Sequence, residues 1–398
     1  MEGFQLPEEL KMLQEQIRRV IREEIDPVEA RIDPDASDLP PEDYERIKAK
    51  CQAAGLWQLG QPEEYGGGGL NTFGLCVAME EMVQHRMGLY HPGGGVFGRE
   101  PPHSIFAGTK EQIEKWAVPM IRSGGKSFFA ITEPSGGSDP AGAIRTRAVK
   151  SGNGWVINGT KIFTSRAHES EWGVVYARTD LGAGRSGISA FIMPTSTPGF
   201  TARPFKTIRT TAVPCEVEFN DCFVPADHLI GKEGQGLNLA FGLLVRQRFP
   251  YSAANLGIAV AAHKRAVAYV NQRKTFGQYL ADRQAIQWML ADNEVEIRTA
   301  RLLIWDGAWK ADRGEDARVE ASMAKLYSSE VLGRVIDRVV QIHGGYGVAK
   351  EFPFERWYRE ARVRRIGEGP SEVHRMVIAR DLLREGKAAR AALERGAD

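Results

Sequence analysis

Between Leu6 and about Arg31, apolar residues fall at Leu10, Leu13, Ile17, Val20 and Ile21. This three-and-four spacing predicts one amphipathic helix. Similar spacing marks Glu42 to Cys51 and Leu75 to Val83, on either side of the run Gly66-Gly67-Gly68-Gly69. Residues 1–125 therefore read as helices joined by glycine-rich connections. From about Phe128 to Ile230 the pattern changes to short runs such as Trp155-Val156-Ile157, Trp172 to Ala177 and Ile188 to Met193, separated by turn residues. Asn158-Gly159 follows the first run and signals a hairpin, because both residues tolerate positive φ. This zone is expected to be an antiparallel barrel or sandwich. After Gly236 the helical period returns, with Ile286, Leu290, Ile297 and Ile304 on one face and Leu332, Val335, Ile336, Val339 and Val340 on another. Long consecutive helices of this kind make an antiparallel bundle. The expectation is an α+β chain, mainly α, with a helical domain at 1–125, a β domain at 126–235 and a helical domain at 236–398.

Composition narrows the partners. A chain of 398 residues can bury several cores, and a net charge of +1 announces no polyanionic ligand, so nucleic acid is not expected as the main partner. Cys51, Cys76, Cys215 and Cys222 form no CxxC pair, and the eight histidines form no HExxH. Free thiols in a reducing cytosol, with no metal, are expected. The start Met1-Glu2-Gly3-Phe4 lacks a secretory pattern, and no run of eighteen apolar residues occurs, so a cytoplasmic protein is expected.

The chemistry concentrates in a few segments. Arg365-Ile366-Gly367-Glu368-Gly369-Pro370-Ser371 places one carboxylate between glycines, ahead of a helical segment. A ligand can approach it closely, and dry surroundings would raise its pKa toward that of a general base. On this segment alone a glycine-flanked turn with a solvated Glu is the favoured reading. Thr132-Glu133-Pro134-Ser135-Gly136-Gly137-Ser138-Asp139 ends an apolar strand with small residues and hydroxyls suited to carbonyl or phosphate oxygens, or to a simple β-turn. Gly93-Gly94-Gly95-Val96-Phe97-Gly98 satisfies GxGxxG, but no strand precedes it and Pro101-Pro102 bars a following helix, so a flexible loop near a substrate mouth is expected instead. Arg273-Lys274-Thr275-Phe276-Gly277 pairs a guanidinium with a ring, which suits a phosphate beside a planar base or simply ends a helix. Gln341 to Gly347 offers exposed amides, and His343 within it reads as structural.

In this order and spacing these segments, together with Ile157-Asn158-Gly159-Thr160-Lys161, resemble the acyl-CoA dehydrogenase family over essentially the whole chain. The resemblance implies a C-terminal four-helix bundle, a homotetramer, and FAD in the cleft between the middle and last domains. It implies that Phe129, Ile131, Thr132, Gly137 and Ser138 line the flavin, Ser138 near the phosphates and the substrate. Phe163 and Ser165 stand where the family usually has a tryptophan against the isoalloxazine and a threonine on its N5, with Thr164 between them. Arg273, Phe276, Gln284, Gln341, Gly344 and Gly345 match residues that reach the cofactor across a subunit boundary, and Pro370 and Glu372 are further cofactor positions. Glu368 coincides with the catalytic base, Arg248 with an arginine beside it, and Gly369 with a substrate contact. Gln247 stands where some members keep their glutamate and cannot serve as that base. The implied reaction is α,β-dehydrogenation of an acyl-CoA to a 2-enoyl-CoA, with the electrons passed to an electron-transferring flavoprotein, as in fatty acid metabolism.

Gly367 replaces an aromatic common in the family, and Pro370-Ser371-Glu372-Val373-His374 departs from the usual continuation. A bulky, branched, cyclic or polar acyl group is therefore expected. Arg99 and Arg246 could hold a distal carboxylate, although surface arginines without that role are the expectation. An acyl-CoA oxidase, another flavin oxidase or monooxygenase, and a non-enzymatic flavin-bearing protein with a basic patch at Arg362, Arg364, Arg365, Arg375 and Arg380 are the alternatives.

Overall fold

The computed structural model describes residues 5–395, without the side chains of residues 243, 244, 385, 387–389 and 391–395. In chain order it contains α1 (Glu8–Val20), α2 (Asp26–Glu29), α3 (Pro41–Ala53), α4 (Thr72–Met82), α5 (Lys110–Gln112) and α6 (Val118–Ser123). Then come β1 (Ser127–Ala130), α7 (Pro140–Ala143), β2 (Arg147–Ser151), β3 (Gly154–Ser165), β4 (Trp172–Arg178), β5 (Ile188–Pro194), β6 (Phe200–Pro204), β7 (Pro214–Pro225) and β8 (Leu229–Ile230). Next are α8 (Gly236–Val270), a hairpin of β9 (Lys274–Thr275) and β10 (Gln278–Tyr279), α9 (Gln284–Asp312), α10 (Arg318–His343), α11 (Phe354–Arg364) and α12 (Ser371–Arg395). A π turn at Ile21–Ile25 carries α1 into α2, so the single helix expected from Leu6 to Arg31 is helical throughout most of that span but not uniform.

Contacts group the chain into two compact units. One holds residues 22–70 and 90–244, with all eight strands β1 to β8 in one sheet ordered β6-β7-β3-β2-β4-β5-β8 and β1 beside β4. Most pairs are antiparallel, but β1 runs parallel to β4, as expected where a long excursion rather than a tight turn separates two strands. Both faces are buried at the central strands β4 and β5. Val174, Tyr176, Ile188 and Ile192 lie in one apolar cluster, and Phe128, Val175, Phe191 and Val217 in another. This alternation along β4 and β5 follows from the period-two pleat.

Asn158-Gly159 does not make a hairpin. Strand β3 continues through it, and the register against β7 shifts between Ile157 and Gly159. Asn158 and Asp221 exchange side-chain and backbone hydrogen bonds of 2.9 and 2.8 Å across this bulge. Gly159, at φ +148, passes so close to Thr146 that a Cβ would meet its Cα at 2.6 Å. The dipeptide supplies the backbone freedom of a bulge, while the β2–β3 turn falls earlier, at Gly152-Asn153. The Gly93 to Gly95 segment is also corrected: it is a buried 3-10 turn, closed against Phe97 and Leu39, and not an open loop.

Among the described residues, the other unit holds 5–21, 71–89 and 245–395, and its regular elements are helical apart from the β9–β10 hairpin. Helix α10 is its axis, packed on α9, α11 and α12 and burying Leu332, Val335, Ile336 and Val339 as its period requires. Asp312, at the end of α9, accepts the Thr72 and Phe73 N–H groups at 2.8 Å and so closes the start of α4. The four cysteines are buried free thiols.

Candidate active site

In the sheet unit, the Thr132 segment is tied to β3 by a buried ion pair. Glu133 is 4% exposed and accepts hydrogen bonds from the Arg145 N–H (2.6 Å), the Thr146 N–H (2.9 Å) and Lys161 Nζ (2.8 Å). Lys161 is fully buried and also donates to the Ile131 carbonyl at 3.2 Å, and the Ile162 N–H donates to the Thr132 carbonyl at 2.9 Å. Burial opposes the charge on Glu133, but Lys161 outweighs it and holds the carboxyl below its usual range. Sequence reading noted both motifs without seeing that Glu133 and Lys161 lock them together.

This lock sets Thr132 beside the end of β3. Gly137 lies against Thr132, where a Cβ would sit 3.0 Å from the threonine methyl. The turn itself is closed by the Gly136 N–H on the Glu133 carbonyl, and Ser138 is exposed beyond it. Phe163 has the left-handed φ of +58 and a ring 60% exposed, propped edge-on by Phe205 at 5.5 Å. An exposed ring on a strained residue is a functional signature. Ser165 Oγ accepts a 2.7 Å hydrogen bond from Arg209, a residue the sequence did not single out, and its own O–H remains able to donate to a ring nitrogen. Small residues, an exposed ring and an oriented hydroxyl fit a planar heterocyclic cofactor. Phe129 is half-buried and packs on Tyr176 at 5.1 Å, and the Thr164 side chain is buried, so Thr164 offers a ligand only its backbone.

Farther back in the same unit, Arg99 is not a surface arginine. It donates to Asp38 at 3.1 Å, within a partly buried group that includes His91, 2.9 Å from the same carboxylate, and Arg166. Burial opposes the Asp38 charge, yet His91, Arg166 and Arg99 hold that carboxyl well below its usual range. Burial, reinforced by the two arginines, pushes His91 down to about 3.

In the helical unit, Glu368 sits in the turn between α11 and α12, closed by the Ser371 N–H on the Arg365 carbonyl at 3.1 Å. Glu368 and Gly369 both have left-handed backbones, at φ +57 and +91. Each carbonyl meets a buried donor: His374 Nε2 lies 3.1 Å from the Glu368 oxygen, and Lys325 Nζ lies 2.6 Å from the Gly369 oxygen. Burial, with Arg248 and Lys325 nearby, pushes His374 down to about 4, so its neutral ring donates from Nε2. Lys325 is brought down to about 8 by burial. Arg248 is likewise lowered by burial, with Glu368 as its offsetting charge, and its Nε has no hydrogen-bond partner among the described residues.

The dry setting expected for Glu368 is not found: the residue is exposed. Gly367 and Gly369 carry no side chains, so the gap that admits a ligand also admits water. Pro370 and Glu372 begin α12, and the Pro370 carbonyl takes the Val373 N–H at 2.9 Å. Arg246 donates to the Ala311 carbonyl at 3.1 Å. Of the basic patch weighed from the sequence, Arg362, Arg375 and Arg380 are exposed, whereas Arg364 and Arg365 are engaged. Arg364 is buried, bonded to the Leu89 carbonyl and lying 4.0 Å over the Tyr251 ring, and Arg365 pairs with Glu330 at 2.8 Å.

Arg273, Phe276, Gln284, Gln341, Gly344 and Gly345 are exposed and gather at another end of this unit. Stacking of His343 on Tyr269, with ring centroids 4.4 Å apart, brings the ends of α8 and α10 together there. His343 is buried and bonded to the Val339 carbonyl, which suits its structural reading. Gln341 is sixteen residues beyond Lys325 on α10, roughly 24 Å at 1.5 Å per residue, so within one chain these residues do not join the Glu368 turn.

Comparison with known proteins supplies the context. Family models for the N-terminal, middle and C-terminal domains of acyl-CoA dehydrogenase match residues 7–124, 128–222 and 234–383. The human mitochondrial short-chain specific acyl-CoA dehydrogenase is 37% identical over 96% of this chain and 92% of its own. The acryloyl-CoA reductase (NADH) of Anaerotignum propionicum is 36% identical over 96% of both chains. The butyryl-CoA dehydrogenase structure from Megasphaera elsdenii superposes with a TM-score of 0.84 at 31% identity, covering 96% of this chain and 100% of that one. The ordered motifs, the helix–sheet–helix arrangement and these matches agree: the chain belongs to the acyl-CoA dehydrogenase family of FAD-dependent oxidoreductases.

Proposed function

We propose that the chain catalyses α,β-dehydrogenation of an acyl-CoA thioester to the 2-enoyl-CoA, with Glu368 removing the α-proton. The Glu368 turn carries this reading: an accessible carboxylate between two glycines, on a left-handed backbone whose carbonyls are held by His374 and Lys325. Phe163, Ser165, Thr132 and Gly137 fit FAD, with Ser138 toward its phosphates. The bound flavin supplies the redox chemistry as acceptor of the β-hydride. Glu368 Oε receives the proton, and its backbone N–H donates to the thioester oxygen, where negative charge develops as the proton leaves. Arg248 and Lys325 both lie within electrostatic reach of the Glu368 carboxylate.

Gly367 supports a bulky, branched, cyclic or polar acyl group. With no side chain there, the nearest group to the missing Cβ is the Tyr251 hydroxyl at 3.2 Å. Trp288, Val295, Leu302 and Trp309 recur every seventh residue along α9 and are exposed in the single chain, which supports a homotetramer. The exposed Arg273, Phe276 and Gln341 group would then reach a neighbouring subunit's cofactor. An electron-transferring flavoprotein is the proposed electron acceptor. The likeness to an acryloyl-CoA reductase favours one further reading, enoyl-CoA reduction, in which the β-carbon would take its hydride from reduced flavin and the α-carbon its proton from Glu368.

Anaerobic addition of butyryl-, octanoyl- and cyclohexanecarbonyl-CoA to the flavin-loaded protein tests the main reading. Bleaching of oxidised flavin is expected, fastest with the cyclic substrate. Preference for a straight chain overturns the acyl assignment, and no bleaching with any thioester overturns the dehydrogenase assignment.

A further inference from the structure

Two side chains of α10 act on the Glu368 turn without being part of the reaction described above. Lys325 is fully buried, on the same face as Ala321, Ser328 and Leu332, and its ammonium reaches the Gly369 carbonyl at 2.6 Å. Five residues on, Glu330 grips both ends of the turn: one oxygen accepts from Ser371 Oγ at 2.7 Å and the other pairs with Arg365 at 2.8 Å. A non-glycine residue at φ +57 is strained relative to ordinary backbone, so a turn built around Glu368 relaxes unless its surroundings hold it. The neighbouring glycines add no packing of their own. A buried ammonium is itself unfavourable, and a charge-assisted bond to a carbonyl is the compensation available to it here.

We propose that Lys325 is a positioning residue for the base: through the Gly369 carbonyl, and with Glu330 closing the turn from outside, it fixes the strained backbone that presents the Glu368 carboxylate. This rests on Glu368 being the base. The groups facing Lys325 are Glu368, Arg364 on α11, Arg248 on α8 and Glu330 on α10, so it sits among cations and is held by the carbonyl and the two carboxylates. A lysine serving packing alone has no reason to bond the residue directly after the base. Misplacing a reacting group by about 1 Å lowers rates by roughly 100-fold, and that sets the scale of the effect.

The test is Lys325→Met in the flavin-loaded enzyme, with kcat expressed per bound flavin and measured with α-protio and α-deutero acyl-CoA. The expected result is kcat lower by roughly 10- to 100-fold, KM within about threefold, unchanged flavin content and a larger deuterium effect. A kcat per flavin within twofold of wild type overturns the proposal, as does a loss confined to flavin content. If Lys325→Met does not fold, Glu330→Gln decides in the same assay: it leaves the Lys325 bond in place, loosens the ends of the turn and is expected to lower kcat several-fold, whereas an unchanged kcat overturns the proposal. Wild type and Glu368→Gln, run alongside, separate the two levels. An active wild type, inactive Glu368→Gln and normal Lys325→Met refute only the positioning role, while an inactive wild type refutes the reading beneath it.

Discussion

Replacing Lys161 by Met removes the cation from the pair that locks the Thr132 segment to β3. Glu133 keeps its two backbone donors but stays at 4% exposure with no counter-charge. Breaking a buried pair from one side costs about 3–5 kcal/mol, and because Met fills most of the vacated volume the low end, about 3 kcal/mol, applies. At roughly 2–4 °C per kcal/mol for a unit of this size, the melting temperature falls by about 6–12 °C. Adding Glu133→Gln to Lys161→Met removes the stranded charge and returns all but about 1–2 kcal/mol, since an amide oxygen still accepts the Arg145 and Thr146 N–H groups. Urea denaturation followed by tryptophan fluorescence, with flavin release recorded in parallel, measures both variants. A Lys161→Met loss below about 1 kcal/mol, or a double variant no more stable than the single one, refutes the assignment of this pair as the lock.

Two further outcomes follow from the sheet unit. His91 is pushed from its ordinary 6.5 down to about 3 by burial, so between those values the unfolded chain takes up a proton that the folded chain refuses. Stability therefore falls with pH across that window, by about 1.4 kcal/mol per unit from this group, and urea titrations at pH 6.5, 5.5 and 4.5 should show a shallower slope in His91→Gln. Gly159→Ala should lose about 2–3 kcal/mol in the same denaturation, because its new methyl meets the Thr146 backbone at a φ of +148; a neutral result contradicts the bulge geometry.

The helical and strand zones were legible because burial here follows period. Ile17, Leu332 and Val339 are buried where the three-and-four spacing put them, and the fully buried β4 was legible as a short apolar run. Asn158-Gly159 misled because positive φ serves a bulge as well as a turn, and the choice depends on the strand opposite: Asp221 lies 63 residues away. The same non-locality hid Lys161, which reads as a surface lysine until Glu133 is placed across from it. Lys325 left a trace that could have been read: it occupies the apolar face of α10, between Ala321 and Leu332, where a solvated lysine does not belong. Arg209 left none, because its role is set by the hydroxyl of Ser165 and not by its neighbours in sequence. The expectation of a dry Glu368 failed because a glycine on each side gives access without deciding what gains it.

The central claim is that Glu368 removes the substrate's α-proton, and the most direct measurement is anaerobic flavin bleaching by an acyl-CoA in Glu368→Gln. The substitution keeps the size of the exposed side chain and the turn bonds of His374 and Lys325, so flavin content and acyl-CoA binding should match wild type. Bleaching is expected to slow by at least about 1,000-fold, at or beyond the middle of the range for losing a positioned general base. Bleaching at the wild-type rate, with flavin and thioester both bound, contradicts the account.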